Sequence, residues 1–382
     1  MRLIIEPADG VAPLLAAIKR AKTSVEIAIF RLDRKDVEMA LKAAAARGVR
    51  VTALIAFANR GGEKRLRQLE LRLLAAGIIV ARTSGDLVRY HGKYILIDRR
   101  VLYVLSFNFT HLDIDHSRGF GIFTSRLDCL QEAAKLFQAD CTRTPYAPKI
   151  EKFVVSPENS RQVLGTFLKR ARKQLLIYDP RISDREMLRI LEGRAKAGVE
   201  VKVIGQVSGR ASFEVQKLAG TRLHTRTIIR DRRQAFVGSQ SLRAAELDSR
   251  RELGLIVLNP RAVKKLIDTF ESDWTSTSTE SVPVSPAAVD VPTGEPAAAS
   301  PKEIAKAVEV FTKELLPLTV TVKKAVRQAV VKAGEDVLHD KDVKDTMKKV
   351  VKQAIKEAVK DAVHEAQEAQ AAQEVLPSGS VE

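Results

Sequence analysis

A short segment of the chain combines residue types that suit chemistry at a phosphorus atom. It reads HGKYILID and places His91, Lys93 and Asp98 with the spacing H-x-K-x4-D. Residues two apart on a strand point to the same side, so we expect His91 and Lys93 to share one face. There the ammonium group would neutralise the non-bridging oxygens of a phosphodiester while the imidazole attacks or transfers a proton. The segment therefore predicts phosphodiester chemistry.

A second copy of this segment exists because the chain repeats itself. At an offset of 150 residues Gly48 corresponds to Gly198, and beyond that point the offset falls to 133. The pairs at the second offset include His91 with His224, Asp98 with Asp231, Ser106 with Ser239 and Arg118 with Arg251. The difference of 17 residues corresponds to a helical segment near 63–77 that the second half lacks.

Short apolar runs alternate with amphipathic runs along each half. The runs typical of strands are 25–30, 49–55, 78–81, 94–98 and 102–106, and those typical of helices are 11–22 and 37–47. This alternation predicts an α/β fold with layered sheets. We expect two pseudo-symmetric α/β/α halves, residues 1–150 and 151–275, with the active site in the cleft between them.

Composition and charge narrow the class of protein. Two cysteines among 382 residues exclude a disulfide-built scaffold and a multi-cysteine zinc module. The longest uncharged apolar run has nine residues, whereas a membrane span needs about 20. These features predict a cytoplasmic protein.

Residues 1–275 hold 50 Lys and Arg against 30 Asp and Glu, so we expect a polyanionic partner, either nucleic acid, an anionic membrane surface or a phosphate-bearing substrate.

The two motifs, together with their surroundings, resemble the phospholipase D superfamily. The resemblance rests on the H-x-K-x4-D motif, on the Ser and Asn of LSFNFT, and on HTRTIIRD, FVGSQS and RRELG in the second half, and it covers residues 1–275. It implies that two motifs meet across a pseudo-dyad, that one His forms a phosphohistidine, and that the other His protonates the leaving alcohol. It also implies that no metal and no cofactor is needed.

The resemblance assigns roles to individual residues and leaves open which His is the nucleophile. The catalytic residues it implies are His91, Lys93, His224, Arg226 and Glu252. The phosphate-binding residues it implies are Ser106, Asn108 and Ser239. Asp98 and Asp231 complete the motifs, but at strand ends we expect them to anchor a turn or to pair with Arg99 or Arg232.

The sequence departs from the family pattern in both halves. In the second half Arg226 replaces the motif Lys and Ser241 replaces the motif Asn. In the first half Leu105 replaces the Gly before the motif Ser. Glu252 matches the acidic residue that orients a His, and we expect it beside His224. Its counterpart in the first half is a glycine, and the candidates to replace the missing carboxylate are His116, Asp113 and Asp115.

The C-terminal quarter has a different composition. Residues 276–301 are rich in Ser, Thr, Pro and Ala, which predicts a disordered linker. Residues 302–375 carry an apolar stripe at helical spacing, which predicts an amphipathic helical tail. Self-association or binding to a partner helix is the favoured interpretation, and interfacial membrane binding is the alternative.

These patterns lead to one leading function and two alternatives. The first is a metal-independent phosphodiesterase of the phospholipase D type, which would hydrolyse or transfer a phosphatidyl group, in the cytoplasm or peripherally at a membrane. The second is a nuclease on the same scaffold. The third is a degenerate protein that binds anionic lipid or nucleic acid without catalysis. An aromatic content of 5% offers few stacking platforms for nucleic acid bases, which favours a lipid or a small phosphodiester as the substrate.

Overall fold

The computed structural model describes residues 1–57, 63–83 and 85–279. The strands of the first half are β1 (Arg2–Glu6), β2 (Ser24–Ile29), β3 (Arg50–Ile55), β4 (Ile79–Arg82), β5 (Arg89–Tyr90), β6 (Tyr94–Ile97), β7 (Val101–Leu105) and β8 (Ser117–Thr124). Its helices are α1 (Ala12–Arg20), α2 (Lys35–Ala46), α3 (Glu63–Leu74), α4 (His111–Asp115) and α5 (Leu127–Thr142).

The second half repeats this order with one helix fewer within the described residues. Its strands are β9 (Phe153–Ser156), β10 (Gln174–Ile182), β11 (Glu200–Val207), β12 (Glu214–Gln216), β13 (Arg222–Leu223), β14 (Arg226–Arg230), β15 (Gln234–Gly238) and β16 (Arg250–Val257). Its helices are α6 (Ser160–Lys169), α7 (Arg185–Lys196), α8 (Ala244–Asp248) and α9 (Pro260–Thr279). The extra helix of the first half is α3, at the place where the repeat offset changes.

Each half forms a mixed sheet with matching topology. The first sheet has the order β1-β8-β7-β6-β2-β3-β4, and the second has the order β12-β11-β10-β14-β15-β16 with β9 at the far edge. In both, one run of strands is parallel and the other is antiparallel. The predicted α/β class is confirmed.

Two short strands cross from one half to the sheet of the other. β5, directly before His91, pairs in parallel with β16 of the second half. β13, directly before His224, pairs in parallel with β8 of the first half. The two exchanges are equivalent under the repeat, and they join the halves at the point where each motif begins.

Apolar side chains fill three layers between and outside the sheets. The central core lies between the two sheets and includes Phe137 of α5 and Phe270 of α9. An outer core packs α1, α2 and α3 on the first sheet, and another packs α6 and α7 on the second. All six residues of β2 are buried, as expected for a strand that is covered on both faces.

The predicted strands and helices match observed ones with shifts of one or two residues at their ends. One shift affects the motif, since β6 begins at Tyr94 and leaves His91 and Lys93 in the connection before it. In the described ranges no helix has the length and apolar character that a membrane span requires. The predicted linker at 276–301 lies beyond the described residues except for its first four, and the predicted helical tail at 302–375 lies wholly beyond them.

Candidate active site

The exchanged strands bring each motif against the other half. The amide of His91 donates to the carbonyl of Arg251 at 2.7 Å, and the amide of His224 donates to the carbonyl of Arg118 at 3.2 Å. Each His therefore lies beside the residue that follows this arginine in the opposite half. For His91 that residue is Glu252, and for His224 it would be the glycine at position 119.

Glu252 orients His91 and not His224, so the expectation from the sequence was wrong on this point. Its Oε2 lies 2.9 Å from Nδ1 of His91, and both side chains are buried. The reason is the strand exchange, which places the acid of the second half beside the motif of the first half. A proton on Nδ1 that is held by the carboxylate leaves Nε2 of His91 with a free lone pair.

The surroundings of His91 favour its neutral form. Burial lowers the pKa of His91 well below its usual value, and the nearby Lys93 and Arg226 lower it further. Burial raises the pKa of Glu252, while Lys93 and a hydrogen bond from Ser239 oppose that rise. A neutral imidazole with a fixed orientation is what nucleophilic attack requires.

His224 lacks the partner that the repeat would supply. Its Nδ1 is buried and has no hydrogen-bond partner among the described residues. Position 119 also has no room for a side chain, because a Cβ built on Gly119 would lie 2.8 Å from Cδ1 of Phe107. A different acid approaches the ring, since Oδ2 of Asp113 lies 3.5 Å from Nε2 of His224.

Of the three candidates named from the sequence, only Asp113 contacts His224 within the described part of the chain. Asp115 forms an ion pair with Arg34 at 2.6 Å. His116 is exposed. Asp113 lies in the short helix α4. Its amide donates to the hydroxyl of Thr110 at 3.2 Å, and Thr110 is the N-cap of this helix.

A fixed network holds the carboxylate of Asp113. Oδ2 accepts hydrogen bonds from the amide and the Nδ2 of Asn108, at 2.9 and 2.7 Å, and Oδ1 lies 2.8 Å from Nη1 of Arg222. Burial raises the pKa of Asp113, but His224, Asn108 and Arg222 together outweigh burial and hold it well below the usual range. Asp113 is therefore a buried anion next to His224.

The two motif cations have equivalent positions. Nζ of Lys93 donates to the carbonyl of His91 at 2.7 Å, and Nη1 of Arg226 donates to the carbonyl of His224 at 2.6 Å. Nε of Arg226 also donates to the hydroxyl of Ser241 at 3.2 Å. Burial lowers the pKa of Lys93 to about 7. Lys93 and Arg226 each lower the pKa of both His91 and His224, so both cations lie close to the two rings.

The serine and asparagine side chains of the motifs are engaged with the protein itself. The Ser106 hydroxyl accepts from the amide of Phe120 at 2.9 Å, and the Ser239 hydroxyl accepts from the amide of Leu253 at 3.2 Å. Nδ2 of Asn108 is bound to Asp113, as described above. These contacts tie both motif loops to β8, β16 and α4, so the side chains act first as supports for the two rings.

The motif aspartates lie in turns. Oδ1 of Asp98 accepts from the amides of Thr23 and Ser24 at 2.7 and 2.9 Å, and Asp231 binds the equivalent segment in the second half. Both aspartates have a left-handed φ of 51°. The ion pairs with Arg99 and Arg232 allowed by the sequence are not formed, because Arg99 binds Glu26 and Arg232 binds Glu271.

Asp113 was a candidate from the sequence, but its counterpart Glu246 in the second half was not recognised. Glu246 corresponds to Asp113 at the offset of 133, and it accepts from the amide of Ser241 as Asp113 accepts from that of Asn108. The signal was present, because an acidic residue follows the motif Asn or Ser at the same spacing of five in each half.

The sequence of the chain matches the model of one protein family. A family model described as "Cardiolipin synthase, PLD-like domain" matches residues 14–141 and 164–274, more than half of the chain. No curated protein sequence is significantly similar to the chain.

The solved structures that share the fold include the following two. A phosphatidylserine synthase from Haemophilus influenzae Rd KW20 has a TM-score of 0.54 and 9% identity over 72% of this chain and 86% of that one. A polyphosphate kinase from Porphyromonas gingivalis has a TM-score of 0.60 and 22% identity over 71% of this chain, which spans half of the kinase's length. With the family match and the paired motifs at one centre, the chain belongs to the phospholipase D superfamily.

Proposed function

We propose that the protein is a phosphodiesterase of the phospholipase D type that acts without a metal ion, through a phosphohistidine. The observation that carries this proposal is the contact between Glu252 and His91, which leaves a neutral imidazole with a free nitrogen in the field of Lys93 and Arg226. In this proposal residues 1–150 and 151–275 are the two domains, and each supplies one motif.

His91 is the nucleophile in this proposal. Its Nε2 attacks phosphorus, a P–N bond forms, and the P–O bond to the leaving alcohol breaks. The leaving oxygen takes a proton from the imidazolium of His224. His224 then removes a proton from water or from an acceptor alcohol, whose oxygen attacks phosphorus and breaks the P–N bond. Both rings return to their starting protonation states.

The remaining motif residues stabilise charge and geometry. Lys93 and Arg226 balance the negative charge that grows on the non-bridging oxygens in the transition state. Ser106, Asn108 and Ser239 complete the pocket for those oxygens and hold the loops that carry it. Binding of the anionic phosphodiester adds negative charge next to His224, which favours the protonated ring that the leaving group needs.

The Asp113 carboxylate is a positioning residue for His224 in this proposal. Asp113 supplies the negative charge that the repeat would place at position 119, where the chain has a glycine. It approaches Nε2 of His224, whereas Glu252 contacts Nδ1 of His91. The charge of Asp113 stabilises the imidazolium form of His224. Burial, Arg226 and Arg222 act in the opposite direction and lower the pKa of the ring.

A phosphatidyl group is the substrate we favour. The matching family is named for cardiolipin synthase. Few aromatic side chains are available to stack bases. The excess of Lys and Arg in residues 1–275 would draw the protein to the surface of an anionic membrane. The same excess favours a nuclease as the second candidate, since the bond that is broken is of the same type.

The test is turnover of bis-p-nitrophenyl phosphate in excess EDTA by the wild type, His91→Ala, His224→Ala and the control His116→Ala. We expect turnover in the wild type and the control, and none in the other two. In samples quenched with SDS at alkaline pH, where a P–N bond is stable, a covalent phosphoryl adduct should accumulate in His224→Ala and be missing in His91→Ala. Near-normal turnover in His91→Ala would refute the mechanism.

Hydrolysis of phosphatidylglycerol vesicles, compared with that of plasmid DNA, then decides between the two substrate classes.

A further inference from the structure

Cationic side chains line a groove on the second half of the chain. It has a volume of about 390 Å³ and lies between residues 148–152, helix α6 and the ends of β14 and β15. Four cations line it, namely Lys149, Lys152, Arg170 and Arg230. Among the described lining residues Glu151 is the only acid. The side chains of Lys149, Lys152 and Arg170 form no ion pair within the described part of the chain. We call this site the cationic groove.

One cation of the groove is held rigidly. The guanidinium of Arg230 lies over the ring of Phe167, 4.3 Å from its centroid. Its Nη1 donates to the carbonyl of Phe167 at 2.9 Å, and its Nη2 donates to Oε1 of Gln234. A planar guanidinium fixed in this way loses little freedom when it binds an anion.

In the described part of the first half, the side chains that form this groove are replaced. Three lining residues differ in kind between the halves: Phe167 corresponds to Ala17, Arg230 to Ile97 and Gln234 to Val101. Ala17 and Ile97 are buried in the outer core of the first half. Because the two halves share one fold, the fold does not require the groove, and the second half alone has the side chains that form it.

The groove is separate from the proposed active site. Strand β14 begins at Arg226, beside His224, and ends at Arg230 in the groove. Four residues of strand cover about 13 Å. A ligand in the groove is therefore not the phosphodiester at the two histidines.

We propose that the cationic groove binds the phosphate group of an ester with an apolar substituent. Lysine and arginine side chains supply charge-assisted hydrogen bonds to phosphate oxygens. Beside them the wall is apolar, with Ile150, Val163, Ile256 and Leu258, and Leu258 is 41% exposed. Phe167 is only 3% exposed, so it offers no face for a nucleic acid base. This combination suits an amphiphilic phosphate ester, the head of an anionic phospholipid or a soluble analogue.

The experiment measures binding in full-length protein that carries His91→Ala, so that substrate turnover and the proposed function play no part in the outcome. One arm uses vesicles of phosphatidylglycerol in phosphatidylcholine, with pure phosphatidylcholine as reference. The other arm uses a soluble phosphate ester with a short apolar chain, n-hexyl phosphate. The test variants are Arg230→Ile, which installs the residue of the first half, and Lys149→Gln, which changes only an exposed side chain. The control is Arg100→Gln, which removes one exposed charge from the turn between β6 and β7.

We expect Arg230→Ile to weaken binding about tenfold, as for the loss of a charged hydrogen bond, and Lys149→Gln to weaken it less. The control should bind like its parent. Losses in the vesicle arm alone identify a lipid head as the ligand, and losses in both arms identify soluble phosphate esters as well. Equal binding by both test variants and the control overturns the proposal. DNA binding by the same variants is measured in parallel. A loss confined to DNA binding also overturns the proposal.

Discussion

Arg251 of the second half forms a buried ion pair with Asp140 of the first half, with 3.1 Å between Nε and Oδ1. The repeat supplies the counterpart, since Arg118 of the first half binds Asp273 of the second at 2.8 Å. Each arginine also provides the carbonyl that binds the amide of a motif His. These two ion pairs therefore fix the register in which the halves exchange strands.

Breaking one of these pairs should destabilise the protein strongly. Arg251→Met leaves the buried Asp140 without its cation, and removal of one partner of a buried pair costs about 3 kcal/mol or more in the free energy of unfolding. Lys264→Met breaks the exposed pair with Asp268 in α9 and should cost less than about 0.5 kcal/mol. Urea unfolding at neutral pH measures both. Equal losses in the two variants would contradict the role given to Arg251.

The charge of Glu252 should matter more than its shape. Glu252→Gln keeps the size of the side chain but no longer stabilises the His91 ring in the required tautomer. We expect turnover of bis-p-nitrophenyl phosphate to fall by about a hundredfold or more, the range in which positioned acid–base groups act. Glu252→Asp should recover part of the rate. If the Gln variant retains normal kcat, Glu252 only fills space.

Removal of the Asp113 charge should lower the pKa of His224. In Asp113→Asn the ring loses its nearest anion, while Arg222, Arg226 and Lys93 remain to disfavour the imidazolium. NMR titration of the His224 imidazole should therefore show a lower pKa than in the wild type, and turnover should fall with it.

Glu246→Gln is the matched control for this measurement. Glu246 holds the amide of Ser241 as Asp113 holds that of Asn108, but it forms no ion pair with His224 in the described residues. We expect Glu246→Gln to leave the pKa of His224 nearly unchanged. A similar shift in both variants would show that Asp113 acts only through the loop.

Substrate affinity should decline in alkaline solution because Lys93 loses its charge. Burial lowers the pKa of Lys93 to about 7, so the ammonium form is present below that pH and is lost above it. We expect kcat/KM to fall by about tenfold per pH unit well above pH 7. Lys93→Arg should be slower, since a guanidinium differs in shape, but its charge persists and the decline should move to higher pH. Identical profiles between pH 6 and 9 would assign the decline to another group.

Much of the fold and most of the candidate residues follow from the sequence by itself. Strand and helix patterns are local, so the alternation of apolar and amphipathic runs predicted the α/β class. The repeat offsets predicted two halves and located the extra helix α3. The paired motifs singled out His91 and His224, because residue type and spacing are properties that a sequence displays directly.

Only the tertiary structure decided which acid serves which histidine. Glu252 was expected beside His224 and lies beside His91, because β5 and β13 pair with strands of the opposite half. Strand pairing between residues more than 100 positions apart leaves no local pattern in the chain. For the same reason the sequence did not distinguish Asp113 from Asp115 as the carboxylate that contacts His224. Packing turns the first toward His224 and the second toward Arg34, and that difference exists only in three dimensions.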